Sequence, residues 1–366
     1  MHNLQRQRLR LLREKRGLSQ DALAAAMELP DRQALSDIEN GAREVSPEEL
    51  ARAAKALGTT VFAIADPLQL VGEGVFSWRQ KNVPRHELDA YEEQAGRWIA
   101  AFRYLSQKKG DPVNSGVRQI DLDHRSTFED AQSQGESIAK LMNLGEIPAQ
   151  TLSQALENLL DTVVLYVDAI PGVSGAACRV GALNTILVNR NEPPGRRAFD
   201  LAHEFFHLLT WHSMPPHHID EAGRGDYKYK RIEQLADNFA AGLLMPAATI
   251  QQIVEHHPLP KEAELAAWIA AAARYMSVSP QAMLWRLVNL GHVSKAAGER
   301  VSLERERSGP GDSKPPLFGR RFLGVLSWAI DKGEISVRRA AALTGVSVDR
   351  LASIFKANEV ACPYEL

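Results

Sequence analysis

The 366-residue sequence has only two cysteines, Cys178 and Cys362, and they match no metal or redox spacing. That excludes a disulfide-stapled secreted scaffold and leaves reduced thiols in a cytoplasmic protein as the expectation. No run of about 18 apolar residues occurs, so no membrane span is expected. The opening residues, Met1 to Arg6, lack the apolar core of a secretory signal. An excess of charge of one sign is missing as well: 43 Lys and Arg stand against 45 Asp and Glu, a formal net charge of −2. No global field points to nucleic acid, so any such role has to come from local patches.

What is present supports sizeable cores. The chain is 45% apolar, and its length suggests two to four domains. The pattern is mainly helical with one small β-rich island, an α+β class. Residues 1–68 hold short helical patterns broken by Gly17, Pro30, Gly41, Pro47 and Gly58. Residues 69–125 read as a connector that includes an amphipathic helix over 83–105. The island comprises 162–167, 175–180 and 185–189, runs rich in β-branched or small apolar residues. It belongs to a domain expected over 126–295, in which a long helix starting near Arg196 and helices near 231–245, 261–275 and 279–290 follow. Residues 304–316 are charged, then rich in Gly and Pro, and read as a linker. A small helical unit over 317–366 closes the chain.

The central domain carries the chemistry. His203, Glu204, Phe205, Phe206 and His207 fit H-E-x-x-H. On a helix, residues four apart lie one turn apart on one face, so both imidazoles can point at one ion. Glu204 projects beside them, placed to take a proton from a water that the metal acidifies. Glu233 and Asp237 are again four apart on a second predicted helix. Glu233 is the expected third ligand, which leaves a fourth position open. Asp237 is placed to accept a hydrogen bond from the distal nitrogen of a ligand histidine and so fix its tautomer. The small Ala236, Ala240 and Ala241 suit close approach of the two helices. Two histidines and a carboxylate favour zinc, although manganese or iron can occupy such a set. Candidate oxyanion donors are His212, His217, His218, Tyr227 and Tyr229, with none preferred.

The runs 189–209 and 233–246 resemble the ImmA/IrrE family of zinc metallopeptidases. The resemblance implies a thermolysin-like minimal fold, a small sheet beside an active-site helix. It also implies His203, His207 and Glu233 as zinc ligands, Glu204 as base, and cleavage of a specific repressor protein as substrate. Strand 185–189 is expected at the sheet edge, where its free backbone groups could pair with an extended peptide.

Ser19 and Asp31 read as N-caps of two short helices, the second ending at Gly41, and Ser46 with Pro47 starts another. This is a helix-turn-helix pattern, and residues 6–65 resemble the Xre/Cro-type family. The resemblance implies that the second helix enters the DNA major groove with Arg32, Gln33 and Ser36 facing bases or phosphates. It also allows a homodimer. Residues 1–17 add six basic side chains (Arg6, Arg8, Arg10, Arg13, Lys15, Arg16) against one acid, Glu14, a candidate phosphate grip. Against DNA stands the acidity of that helix, with Asp31, Asp37 and Glu39 against Arg32; a dimerisation or docking role is the alternative. At the C-terminal end, Ser336, Gly345 and Ser347 outline a second helix-turn-helix-like pair, read as a structural or partner-docking unit.

The functional expectation is a site-specific zinc endopeptidase joined to a DNA-binding domain, cleaving a regulatory protein in a stress or mobile-element response. The alternative is a transcriptional regulator that uses the peptidase fold as a metal or peptide sensor. Retention of Glu204 argues against the alternative, because sensing needs only ligands.

Overall fold

A computed structural model describes residues 2–113, 116–216, 227–303 and 314–365. The chain opens with α1 (His2–Lys15), α2 (Gln20–Ala26), α3 (Arg32–Asn40), α4 (Pro47–Ala56) and α5 (Val61–Ala65). Strand β1 (Val75–Gln80) and the long α6 (Arg85–Lys109) follow, then α7 (Phe128–Leu141) and α8 (Pro148–Leu160). Next come β2 (Val163–Val167), β3 (Val173–Val180) and β4 (Leu183–Asn189). They lead into α9 (Pro194–Leu209), α10 (Tyr227–Leu244), α11 (Ala247–His256), α12 (Glu262–Tyr275), α13 (Pro280–Asn289) and α14 (Lys295–Arg300). The last elements are α15 (Arg320–Asp331), α16 (Val337–Thr344) and α17 (Val348–Ala357). The protein is thus mainly α with one small sheet, as the sequence pattern indicates.

Contacts divide the chain into two units: residues 1–75, 85–112 and 328–351 form the first, and 76–84, 113–327 and 352–366 the second. In the first unit, the caps read from sequence are in place. Ser19 Oγ accepts from Ala22 N at 3.1 Å, and Asp31 Oδ1 from Ala34 N at 2.8 Å. Ser46 and Glu49 form a reciprocal capping box, and Gly41 ends α3 at φ 82°, a left-handed conformation that glycine adopts without strain. Leu9, Leu23, Met27, Leu35, Ile38, Leu50, Leu57 and Ile64 fill the core.

One expectation about this unit fails. Arg8 is wholly buried, and its guanidinium donates to the carbonyls of Ala63 (3.0 Å), Ile64 (3.2 Å) and Asp66 (2.7 Å) while pairing with Glu73 at 2.7 Å. It satisfies carbonyls that the short α5 leaves open at its end. Arg13 is also buried, on Glu39 at 2.6 Å. These two of the six basic residues hold the fold together and do not face phosphates.

The second unit contains a four-stranded sheet of order β1-β3-β4-β2. β4 pairs antiparallel with β3 and parallel with β2. The expectation of strand 185–189 as an edge is therefore overturned: β2 takes one side of β4 and β3 the other, so its ladder groups are already bonded. The edge strands are β1 and β2. β1 lies in the stretch read from sequence as connector and helix. Its run Val75–Gln80, between Gly74 and the positive-φ Asn82, is a strand signal that the sequence reading missed.

Candidate metal centre

Helix α9 begins with Pro194 at its first turn. Gly195 lies so close to the Val278–Ser279 backbone that a Cβ there would collide with it. From Asp200 to Leu209 every residue of α9 is buried. The two residues inside the H-E-x-x-H motif fix the helix against α10. Phe205 and Phe206 are fully buried and meet the ring of Phe239 at centroid distances of 6.2 and 5.5 Å. That packing turns His203 and His207 towards Glu233.

α10 is held from its other side by α7. A Cβ on Gly135 would fall 2.7 Å from Leu243 N, and one on Gly242 would fall 2.8 Å from Gln132 C. Ala236 and Ala240 are buried on α10, and on its α7 side glycine on each helix lets the backbones meet.

The donor atoms converge. His203 Nε2 lies 3.2 Å from His207 Nε2 and 3.0 Å from Glu233 Oε2, and His207 Nε2 lies 3.4 Å from Glu233 Oε1. Ligands at zinc-nitrogen distances of about 2.0–2.1 Å in a tetrahedron sit about 3.3 Å apart, so this spacing fits one ion shared by three donors. Two imidazole nitrogens this close cannot both be protonated. The titration splits accordingly: burial pushes His207 down to about 4. Burial and Arg79 also depress His203, but its hydrogen bonds to Asp237 and Glu233 outweigh them and raise it to about 9. Burial disfavours the Glu233 carboxylate, yet the two histidines bring it down to about 2.

Asp237 Oδ1 accepts from His203 Nδ1 at 2.8 Å, the contact anticipated from the four-residue spacing. This leaves Nε2 as the metal-facing nitrogen. Glu204 is buried beside the cluster, with both carboxylate oxygens lacking a hydrogen-bond partner among the described residues. Its Cγ lies 3.6 Å from where a Cβ on Gly175 of β3 would stand. Burial pushes its pKa up to about 8. His207 Nδ1 and Glu233 Oε1 likewise have no hydrogen-bond partner among the described residues. Buried polar atoms left open around three convergent donors are what a metal and its water would satisfy.

Two residues of this centre escaped the sequence reading. Asp200, one turn before His203 on α9, is buried, and Arg79 of β1 reaches it at 3.2 Å. Arg79 also lies 3.4 Å from Asp237 Oδ1. Of the suggested oxyanion donors, His212 is exposed with its ring 3.1 Å from Arg179 Nη1. His217, His218, the side chains of Tyr227 and Tyr229, and linker residues 304–313 lie outside the described residues.

On α3, Arg32 and Gln33 are exposed and Ser36 is half-buried. Arg32 Nε donates to Gln20 Oε1 at 3.1 Å, Gln33 Nε2 to Asp37 Oδ1 at 2.8 Å, and Ser36 Oγ accepts from Asn40 Nδ2 at 3.2 Å. Asp37, one of the acids counted against DNA, thus holds Gln33 in place.

A small sheet beside a buried H-E-x-x-H helix, with a third donor from the next helix, is the arrangement of a metallopeptidase fold. Comparison with known families agrees. Residues 170–288 match the family model of the IrrE N-terminal-like domain, a peptidase family, and residues 6–63 match that of a helix-turn-helix domain. The chain joins a helix-turn-helix domain to an ImmA/IrrE-type domain. Among solved structures, it is similar to the apo form of ComR from S. thermophilus at 12% identity, over 98% of this chain and 97% of that one, with a TM-score of 0.17. The apo competence regulator ComR from Streptococcus vestibularis matches at 11% identity, over 98% and 99%, also with a TM-score of 0.17. Neither likeness bears on the fold or the site. No curated protein matches the chain. No helix among the described residues is long and apolar enough to cross a membrane.

Proposed function

We propose that the chain is a site-specific zinc endopeptidase that its helix-turn-helix domain brings to DNA. The observation that carries this reading is the convergence of His203, His207 and Glu233 within 4.8 Å of one another, with the Glu204 carboxylate buried beside them and without a hydrogen-bond partner among the described residues. When bound there, zinc supplies Lewis acidity to a water and to a peptide carbonyl. Glu204 is the proton carrier: its buried carboxylate stands beside the three donors with no hydrogen-bond partner among the described residues, placed to take a proton from the water and return it to the leaving amine. His203 is held in one tautomer by Asp237, and Glu233 stays ionised as an oxygen donor.

The division of labour follows the chain. Residues 1–68 serve DNA, with Arg32, Gln33 and Ser36 facing it. Residues 126–295 form the peptidase domain with β1 added from upstream, while the connector 69–125 and the closing stretch 317–366 are each divided between the two units. Holding a protease beside a promoter raises its effective concentration for a bound repressor, which makes such a repressor the favoured substrate in the cytoplasm.

The test compares new protein N-termini, across the proteome, in cells expressing the wild-type chain or Glu204→Gln, with and without DNA damage. Glu204→Gln keeps all three ligands and removes the base. A few termini that appear only with the wild type are expected. If none appeared while the purified protein held zinc, a regulator that senses metal or peptide through this fold would replace the protease reading.

A further inference from the structure

The metal centre contains more carboxyl groups than its ligands need. Asp200 and Glu204, both buried, and the more exposed Glu233 and Asp237 bring four carboxyl groups together. Arg79 interacts electrostatically with all four. It comes from β1, more than a hundred residues before the H-E-x-x-H helix and outside the stretch matched by the peptidase family model.

The geometry is that of a clamp. The Arg79 Nε faces Asp200 Oδ1 at 3.2 Å, while Nη1 and Nη2 both lie 3.4 Å from Asp237 Oδ1. Asp200 is on α9 and Asp237 on α10, so one guanidinium ties together the two helices that carry the ligands. The same Asp237 oxygen receives His203 Nδ1 at 2.8 Å. Asp237 is about half-exposed, and without a second partner its carboxylate is free to turn towards solvent. A lysine cannot reproduce the arrangement, because a single ammonium cannot span two carboxylates as a planar fork does.

We infer that Arg79 is a positioning residue for the metal: by bridging Asp200 and Asp237 it locks the Asp237–His203 hydrogen bond and so sets the affinity of the His203, His207 and Glu233 donors for zinc. The inference rests on the metallopeptidase reading above. The sequence-distant strand β1 then completes the site, and a peptidase domain cut to the family-matched stretch lacks this clamp.

A cavity of about 810 Å³ gives access to the clamp. Arg79, Asp200 and Asp237 line it with Phe199, Asn238 and Trp285. A small planar cation can therefore enter beside the place that Arg79 occupies.

The test measures zinc affinity of the full chain by competition with a chromogenic chelator, in the absence of any peptide. Loss of an outer partner of a ligand histidine costs about 10–100-fold in metal affinity, and Arg79→Ala is expected to fall in that range. Guanidinium or methylguanidinium, at millimolar and sub-denaturing concentration, is expected to restore part of the loss in Arg79→Ala and none in Asp237→Ala. Lys81→Ala, on the rim of the same cavity, should bind zinc as the wild type does. Arg79→Lys, which keeps the charge, is read if Arg79→Ala does not fold; it should still bind more weakly than the wild type. Unchanged affinity in whichever of these two Arg79 variants is read would overturn the inference. So would a loss that guanidinium does not relieve and that matches a fall in thermal stability, since a purely structural role predicts that outcome. A wild-type chain that binds no zinc would sink the metallopeptidase reading itself, which separates the two failures.

Discussion

Asp237 Oδ1 stands 2.8 Å from Nδ1 of His203, on the side of the ring away from the metal donors. The contact ties the tautomer of a ligand on α9 to a carboxylate on α10. Asp237→Ala should therefore bind zinc about 10–100-fold more weakly while His203, His207 and Glu233 all remain. Chelator competition measures this, and equal affinity in the two proteins would show that the hydrogen bond does not tune the site.

Helix α10 can place Glu233 only because its backbone meets that of α7 through Gly135 and Gly242. A Cβ on Gly242 would lie 2.8 Å from both Cα and C of Gln132, and backbone atoms cannot rotate away as a flexible side chain can. Gly242→Ala should destabilise by about 1–3 kcal/mol, in spite of alanine's better helix propensity of about 1 kcal/mol. Thermal unfolding reads the first effect and zinc affinity the accompanying shift of Glu233. A variant as stable as the wild type would mean that the two helices separate at little cost.

Burial lifts the Glu157 carboxyl to about 7, against the opposing pull of the Val164 N–H at 3.3 Å and the Arg321 charge. A carboxyl raised in the folded state binds its proton more tightly there than in the unfolded chain. Its contribution is therefore complete below the ordinary Glu value of 4.5 and is lost as pH rises through about 7. Glu157→Gln should remove that loss. The melting temperature of the variant, relative to the wild type, should climb between mildly acidic and mildly alkaline pH. Parallel pH profiles would refute the assignment.

In the first unit, Arg13 Nε pairs with Glu39 Oε1 at 2.6 Å, and Gln20 Nε2 donates to Glu39 Oε2 at 2.8 Å. The other end of the Gln20 amide accepts from Arg32 at 3.1 Å, so a buried ion pair leads by hydrogen bonds to an exposed arginine of α3. Glu39→Gln leaves the buried Arg13 guanidinium only the exposed Glu14 carboxylate, 3.5 Å away, as counter-ion, at a cost of about 1–3 kcal/mol. Hydrogen exchange of the α1–α3 amides in the full chain should accelerate accordingly. Unaltered protection would show the pair to be dispensable.

These residues show where a sequence is legible. The caps Ser19, Asp31 and Ser46 were readable because each acts on an amide two or three residues away. Glu39, counted from sequence among the acids that stand against DNA, is instead buried on Arg13. Arg8 and Arg13 were not, since a count of basic residues does not reveal which of them find buried carbonyls or a buried glutamate. Strand 185–189 has the composition of a β-strand whether it lies at an edge or inside a sheet; its neighbours β2 and β3 decide.

The sequence by itself determined the local part of the metal centre. Helical pitch places His203 and His207 on one face with Glu204 beside them, and the same pitch relates Glu233 to Asp237. Tertiary structure alone decided what lies across from these faces. The Phe205 and Phe206 contacts with Phe239 set α10 opposite α9, and the glycine crossing sets it against α7. Strand β1 brings Arg79 to Asp200 and Asp237. The physical reason is range: hydrogen bonds within a helix follow from spacing along the chain, whereas a guanidinium finds its carboxylates only after a sheet and two helices have packed.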